Sequence, residues 1–210
     1  MTSGEIEAAI TDGLSAMDWS GDEAISRKNA AYAALMQKWN KTYNLTAVRD
    51  MAKVIPLHIL DSLAILPWVQ DAALLDVGSG GGLPGVPLAI ARPQMAVTTL
   101  DSNSKKTAFQ RQAAIELGLS NLTVVCSRVE SFQSAQKFPQ IVSRAFSEIT
   151  DFVTQTRHLL APGGRWLAMK GVRPDDEIAR LPDWAAVVDV IELVVPNVDG
   201  ARHLVILQQR

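Results

Sequence analysis

The residues best suited to chemistry lie in one stretch, Leu74-Leu75-Asp76-Val77-Gly78-Ser79-Gly80-Gly81-Gly82-Leu83-Pro84-Gly85, with a second acid following at Asp101. An apolar run ends at Asp76 and passes into five glycines within eight residues, after which Val86 to Arg92 reads as helix. Glycines at a strand-to-helix turn permit positive φ and remove the Cβ atoms that would hold a ligand off, while the helix start presents free N–H groups. Asp101 closes the next apolar run, Ala96 to Leu100. A βαβ unit puts its carboxylate at the carboxyl end of the neighbouring strand, where it can accept two hydrogen bonds from a ribose diol. A plain turn that binds nothing does not need five glycines.

Two cofactor readings compete for the stretch. Gly80, Gly82 and Gly85 fit G-x-G-x-x-G, and Asp101 lies at the spacing expected of a nicotinamide-cofactor dehydrogenase. The other frame is Asp76-x-Gly78-x-Gly80-x-Gly82, an acid followed by alternate glycines, which resembles the first motif of S-adenosylmethionine-dependent methyltransferases. The end of the chain separates the two. Strands within Val187 to Val195 and His203 to Leu207 are joined by Pro196-Asn197-Val198-Asp199-Gly200, too short for a crossover helix, so they pair antiparallel. A dinucleotide fold would supply a second βαβ half there, whereas five parallel strands and a hairpin are the methyltransferase pattern.

The elements that must position these residues follow from periodicity. Residues 1 to 70 read as helices: Ser20-x-x-Glu23 forms a capping box, and Ile25, Tyr32, Leu35, Met36 and Trp39 recur at helical spacing. Asp50 caps a further helix, apolar almost all round, in which Pro56 either kinks the helix or marks its start. From residue 71 strands alternate with helices: Ala73 to Val77, Ala96 to Leu100, Leu122 to Cys126, Gln140 to Arg144 and Arg165 to Lys170 are strand-like, with helices near 84–92, 104–118 and 148–160. That alternation predicts a parallel sheet covered on both faces. Leu159 to Gly164 stops a helix with a Pro-Gly turn and launches the next strand. The expected division is a helical extension, 1–70, packed on a core domain, 71–210.

Composition narrows the class further. The 210 residues are 48% hydrophobic, ample for one core, and the formal net charge of -2 gives no global attraction to polyanions. The one cysteine, Cys126, ends an apolar run and reads as a packed structural residue. His58, His158 and His203 lack metal-ligand spacing, so no metal site is expected. Met1-Thr2-Ser3-Gly4-Glu5 lacks the features of a signal peptide and no uninterrupted apolar run approaches membrane-spanning length, so the expectation is a cytoplasmic protein without a membrane partner. Nothing requires more than a monomer.

Asn44-Leu45-Thr46, His58-Ile59-Leu60-Asp61-Ser62, the glycine stretch through Gly-Leu-Pro-Gly, Asp101-Ser102-Asn103-Ser104-Lys105-Lys106 and Ser143-Arg144-Ala145-Phe146 occur in this order in the RsmG (GidB) family, which the chain resembles over nearly its whole length. The resemblance implies a class I S-adenosylmethionine-dependent methyltransferase: a Rossmann-like, seven-stranded, mostly parallel sheet with a terminal antiparallel hairpin and an N-terminal helical cap. It implies methylation of N7 of a guanine in 16S ribosomal RNA, guanine 527 by the family's convention, on the RNA or a precursor of the small subunit. A methyltransferase acting on a small molecule or a protein is the alternative. Carried over residue by residue, the resemblance puts Gly78 and Leu83 at the cofactor pocket, where the glycine motif adds Gly80, Val129 and Glu130 at the adenine, and Arg144 near the methionine end. Asp101 agrees with the reading from position alone.

Guanine N7 carries a lone pair and no proton, so its methylation calls for no general base. Arg144 and Lys170, at predicted strand ends, are the candidates to orient the guanine O6 or a nearby phosphate. Without the resemblance, Glu130 reads as a surface carboxylate opening a helix, and Arg144 as half of a structural salt bridge. His58 and Asp61, one turn apart, read as a hydrogen-bonded pair fixing the cap. Asn44 and Thr46 either shape the target pocket or cap the next helix. RNA contact falls to Lys38, Lys41, Arg49, Lys53, Lys105, Lys106, Arg111 and Arg173, with a salt-sensitive association as its sign.

Overall fold

A computed structural model of the chain describes all residues except Ser20, Gly21, Ala145 and Ser147. Helix α1, Ser3–Ala16, opens on a capping box between Thr2 and Glu5 and buries Ile6, Ile10 and Leu14. Helix α2, Glu23–Tyr43, is capped by Asp22, whose side chain accepts from the Ala24 N–H at 2.9 Å. The capping box expected from Ser20 therefore falls on a residue outside those described, and the cap itself lies two residues later. Tyr32, Leu35 and Met36 turn inward, with Ile25 and Trp39 packed half-buried against the same core. Asn44, at φ 49°, ends the helix in the left-handed region that asparagine tolerates.

Asp50 caps the next segment as expected, by accepting from the Ala52 N–H. It starts as α3, Met51–Val54, passes through a π turn, Ile55–Leu60, and resumes as α4, Asp61–Leu63. Pro56 thus does not start the helix, and the disturbance it brings is a change of winding. Having no N–H, it sits where the winding loosens from α to π. By length and composition the 18 residues Met51–Trp68 are apolar enough to cross a membrane although Lys53, His58 and Asp61 interrupt the run, but 72% of them are buried inside the fold, as in a core helix.

The sheet begins at β1, Leu74–Val77, and continues through β2, Val97–Asp101, β3, Leu122–Cys126, β4, Phe138–Ser143, and β5, Leu160–Lys170. These five are parallel; β6, Ala185–Glu192, and β7, His203–Gln209, close it antiparallel, in the order β3-β2-β1-β4-β5-β7-β6. The connecting helices are α5, Gly85–Ala91, α6, Ser104–Leu117, and α7, Ile149–Thr156, with a short α8, Asp175–Ile178, after β5. The Pro-Gly turn before β5 lies inside the strand: its pairing with β4 passes from Leu160 directly to Arg165, leaving 161–164 as an irregularity with Gly163 at φ 70°.

Alternation along the strands assigns two faces. Leu74, Val97, Val142, Leu167, Met169, Leu204 and Ile206 join the N-terminal helices, α5 and α6 in one apolar cluster. Leu75, Leu100, Ile141, Trp166, Ala168, Val205 and Leu207 join Ile149, Phe152 and Val153 of α7 in a second. Strand β3 lies at the sheet edge, and there Cys126 is exposed, not packed as its apolar run suggested. The order of strands reverses between β1 and β4, which opens a crevice at their carboxyl ends.

Candidate functional site

The glycine loop occupies that crevice, with Gly78, Gly80 and Gly82 at φ 70°, 57° and 92°. Six of its amides are turned inward. Gly78 and Ser79 N–H donate to Leu100 O, Gly80 N–H to Asp101 Oδ2 (2.8 Å), Gly82 and Leu83 N–H to Ser79 O, and Gly85 N–H to Asp76 Oδ2 (2.8 Å). The free N–H groups expected at the helix start are therefore spent within the fold. This bears on the cofactor, because a dinucleotide's pyrophosphate is held by such groups. The loop's carbonyls are fixed from above: the Tyr32 hydroxyl donates to Gly81 O, and Gln110 Nε2 donates to Gly80 O (2.7 Å) and Ser79 Oγ (2.9 Å). A Cβ on Gly82 would meet Val86 Cγ2 at 2.5 Å and the Tyr32 hydroxyl at 3.2 Å, so the tight approach requires glycine.

Beside the loop lies an open crevice of about 200 Å³ lined by Val77, Gly78, Leu100, Asp101, Ser102 and the run Ser127 to Glu130, with Phe146 across it. Four expected residues converge here: Gly78, Asp101, Val129 and Glu130. Asp101 is held by the Gly80 and Asn103 N–H groups, both at 2.8 Å, one to each oxygen. Each oxygen keeps a lone pair for a ribose hydroxyl. Leu100, Val129 and Phe146 offer the apolar surface a purine ring needs. The chemistry of this donor set fits the adenosine half of S-adenosylmethionine. Gly80 and Leu83 stand behind the crevice: Gly80 carries the amide that fixes Asp101, and Leu83 is buried beneath the loop.

Arg144 and Lys170 meet in a second, adjoining cavity of about 400 Å³, lined also by Val48, Leu57, His58, Asp61, Met169, Gly171, Leu193, Arg202 and His203. The N-terminal helices supply one wall and the strand ends the other. Arg144 Nη1 donates to Leu57 O at 3.0 Å and to Asp61 Oδ2 at 3.2 Å. The π turn makes this possible, since the Asp61 N–H that an α-helix would direct to Leu57 O goes to Pro56 O and His58 O. Lys170 Nζ lies 2.7 Å from Glu177 and donates to Phe146 O. The salt-bridge reading of Arg144 is thus realised in the wall of a cavity.

His58 and Asp61 line the same cavity without bonding each other, which corrects the expected pair. The His58 Nδ1–H donates to Leu57 O at 2.9 Å, which leaves Nε2 to accept from the Thr46 hydroxyl at 2.7 Å. Burial and then the nearby Arg144 charge hold the imidazole below its ordinary pKa. Its one basic lone pair is directed at the Thr46 hydroxyl and not into the open cavity. Thr46 therefore shapes the cavity through His58. Asn44 accepts from Arg49 and ends α2, while Asp50 does the capping of the next segment. Arg202, which sequence reasoning missed, faces Asp61 at 3.2 Å. Only the antiparallel pairing Lys170↔His203 brings it there, and no motif marks it.

The basic residues proposed for RNA are all exposed except Lys106, which is half-buried. Arg49 bonds Asn44 and Arg173 pairs with Asp175 at 2.8 Å. Among the described residues no group of three or more His, Cys, Asp or Glu is placed to hold a metal ion.

Comparison with known proteins agrees with this geometry. Residues 25–205 match the family model described as rRNA small subunit methyltransferase G. The chain is 58% identical over 179 residues to the ribosomal RNA small subunit methyltransferase G of Laribacter hongkongensis, covering 85% of this chain and 86% of that one. It is 52% identical over 207 residues to the protein of the same name from Aromatoleum aromaticum, covering 96% and 98%. Among solved structures, the glycopeptide N-methyltransferase MtfA superposes with a TM-score of 0.60 at 15% identity, over 76% of this chain and 99% of that one, a likeness of fold.

Proposed function

The chain belongs to the rRNA small subunit methyltransferase G (GidB) family, and from that premise we propose that it transfers the methyl group of S-adenosylmethionine to N7 of a guanine in 16S ribosomal RNA, the one numbered 527 by the family's convention. It is an S-adenosylmethionine-dependent rRNA methyltransferase of class I fold. The observation that carries the cofactor is the glycine loop: the N–H groups of Gly78, Ser79, Gly80, Gly82, Leu83 and Gly85 are spent internally and Asp101 faces the crevice, which suits a ribose better than a pyrophosphate. Working on ribosomal RNA, it acts in the cytoplasm as a monomer, without metal or membrane.

When bound, the cofactor supplies an electrophilic methyl on a sulfonium sulfur. The chain's own residues then have three tasks. Asp101, Val129 and Glu130 hold the nucleoside end, and Gly78 lets it approach the backbone. Arg144 and Lys170, fixed by Asp61 and Glu177, orient the guanine through O6 or its phosphate. The cavity between the helical cap and the strand ends gives the base a walled place in which water is displaced when it is filled. No residue need take a proton, because guanine N7 carries a lone pair and no hydrogen.

Methyl transfer from labelled cofactor to small-subunit RNA, small subunits and a metabolite panel, with the modified base mapped, tests the reading. One 7-methylguanine in 16S RNA is expected. Label on a metabolite or protein alone would refute it, as would calorimetric uptake of NAD without uptake of S-adenosylhomocysteine.

A further inference from the structure

The second cavity contains an arrangement that substrate orientation alone does not require. Asp61, 5% exposed, lies between two guanidinium groups from distant parts of the chain, with Arg144 Nη1 3.2 Å from Oδ2 and Arg202 Nε 3.2 Å from Oδ1. The two contacts differ. Arg144 is hydrogen-bonded and anchored again on Leu57 O. Arg202 is at ion-pair distance but not aligned, so Oδ1 receives no hydrogen bond from any described residue, and Arg202 Nη1 donates to Ala201 O at 2.8 Å. Lys170 nearby is balanced by Glu177. Two arginines and one aspartate thus leave the wall with one excess positive charge, where Asp61 absent would leave two.

That count matters for this reaction. As the N7–CH3 bond forms and the S–CH3 bond breaks, the positive charge leaves sulfur and settles on the purine. No proton departs to remove it. Two uncompensated guanidinium groups at the wall would bind an RNA phosphate more tightly but would oppose the charge that develops on the base, so ground state and transition state ask for opposite things. We propose that Asp61 is a positioning residue that holds Arg144 and Arg202 and offsets their charge, so that the cavity grips RNA without penalising the cationic purine. The proposal rests on the reading of the second cavity as the target-base site.

Asp61→Asn keeps the size of the side chain and removes its charge. Single-turnover methyl transfer to small-subunit RNA is expected to fall about 10- to 100-fold, since misplacement near the reacting atoms and an unbalanced charge both act on the transition state. RNA binding is expected to hold or tighten, with a log–log salt slope steeper by roughly 0.7 for one more effective cation on unpaired RNA. Calorimetric affinity for S-adenosylhomocysteine is expected to stay as in the wild type. The double variant D61N/R202Q, which returns the wall to one excess charge but not Arg144 to its carboxylate, is expected to regain the part of the rate lost to charge and so to be faster than D61N though slower than the wild type. A merely structural role would weaken RNA binding and rate together and would show no rescue, and that result overturns the proposal. So does a D61N enzyme as fast as the wild type. Wild-type enzyme that leaves small-subunit RNA unmethylated overturns the functional reading and this proposal with it, whereas an active wild type matched by D61N overturns this proposal alone.

Discussion

At Asp76 a buried carboxyl is asked to hold a turn with little help. It has no solvent exposure, Oδ2 accepts from the Gly85 N–H, and Oδ1 has no partner among the described residues. Burial pushes its pKa up from 3.8 to about 7, against the lowering effect of the Gly85 bond and of Arg144. Because the folded value lies above the unfolded one, the stability linked to this proton is full below pH 3.8 and is lost as the pH rises towards 7. Asp76→Asn removes that dependence. Between pH 4 and 7 the wild type should lose on the order of 4 kcal/mol relative to D76N, and no more above 7, as read from urea midpoints. Parallel curves would contradict it. The motif made Asp76 and Asp101 visible in the sequence because acids and glycines at strand ends have few other uses. Arg202 was invisible: it lies in a hairpin connection, and its place depends on strand pairing far away.

Among the elements, α2 does more than cover a surface. Tyr32 reads in the sequence as one apolar position of an amphipathic stripe, yet its hydroxyl holds Gly81 O from 49 residues away while its ring packs 6.0 Å from Phe109. Periodicity reports which face is inward; it does not report that a polar atom on that face has a partner. Tyr32→Phe leaves a carbonyl of the loop unpaired, with an expected loss of about 1–3 kcal/mol. The loop then relaxes, so S-adenosylhomocysteine affinity should fall with stability. Denaturation and calorimetry on the same variant check this, and unaltered affinity would show the loop to be held by Gln110 alone. Strand alternation was legible for the same reason that the two faces separate cleanly. Exposure of Cys126 was not, since position within a sheet is not a property of the strand's own residues. The π turn was hidden behind Pro56, which signals a disturbance in a helix without saying which kind.

On the scale of the molecule, we propose that residues 1–70 act as a cap that cannot be parted from 71–210. Tyr32, Met36, Ile59 and Leu60 lie in the same apolar cluster as Leu74, Val97, Phe109 and Leu167. A chain beginning at residue 71 would bare the part of that face which the N-terminal helices cover, leaving only α5 and α6 on it. It is expected to show no cooperative thermal transition and no heat with S-adenosylhomocysteine, and a truncated chain that binds the cofactor normally would refute the proposal. Composition allowed a cap to be expected, and its depth in the core became clear only from the packing.

Strand β7 lies between β5 and β6, and its first residue, His203, lines the second cavity with Arg202 beside it. A nascent polypeptide paused before that strand would hold β5 with an unpaired border and the second cavity lacking one wall. On the proposed reading of that cavity as the target-base site, a chain still lacking residues 203–209 would have no closed place in which to receive a nucleotide.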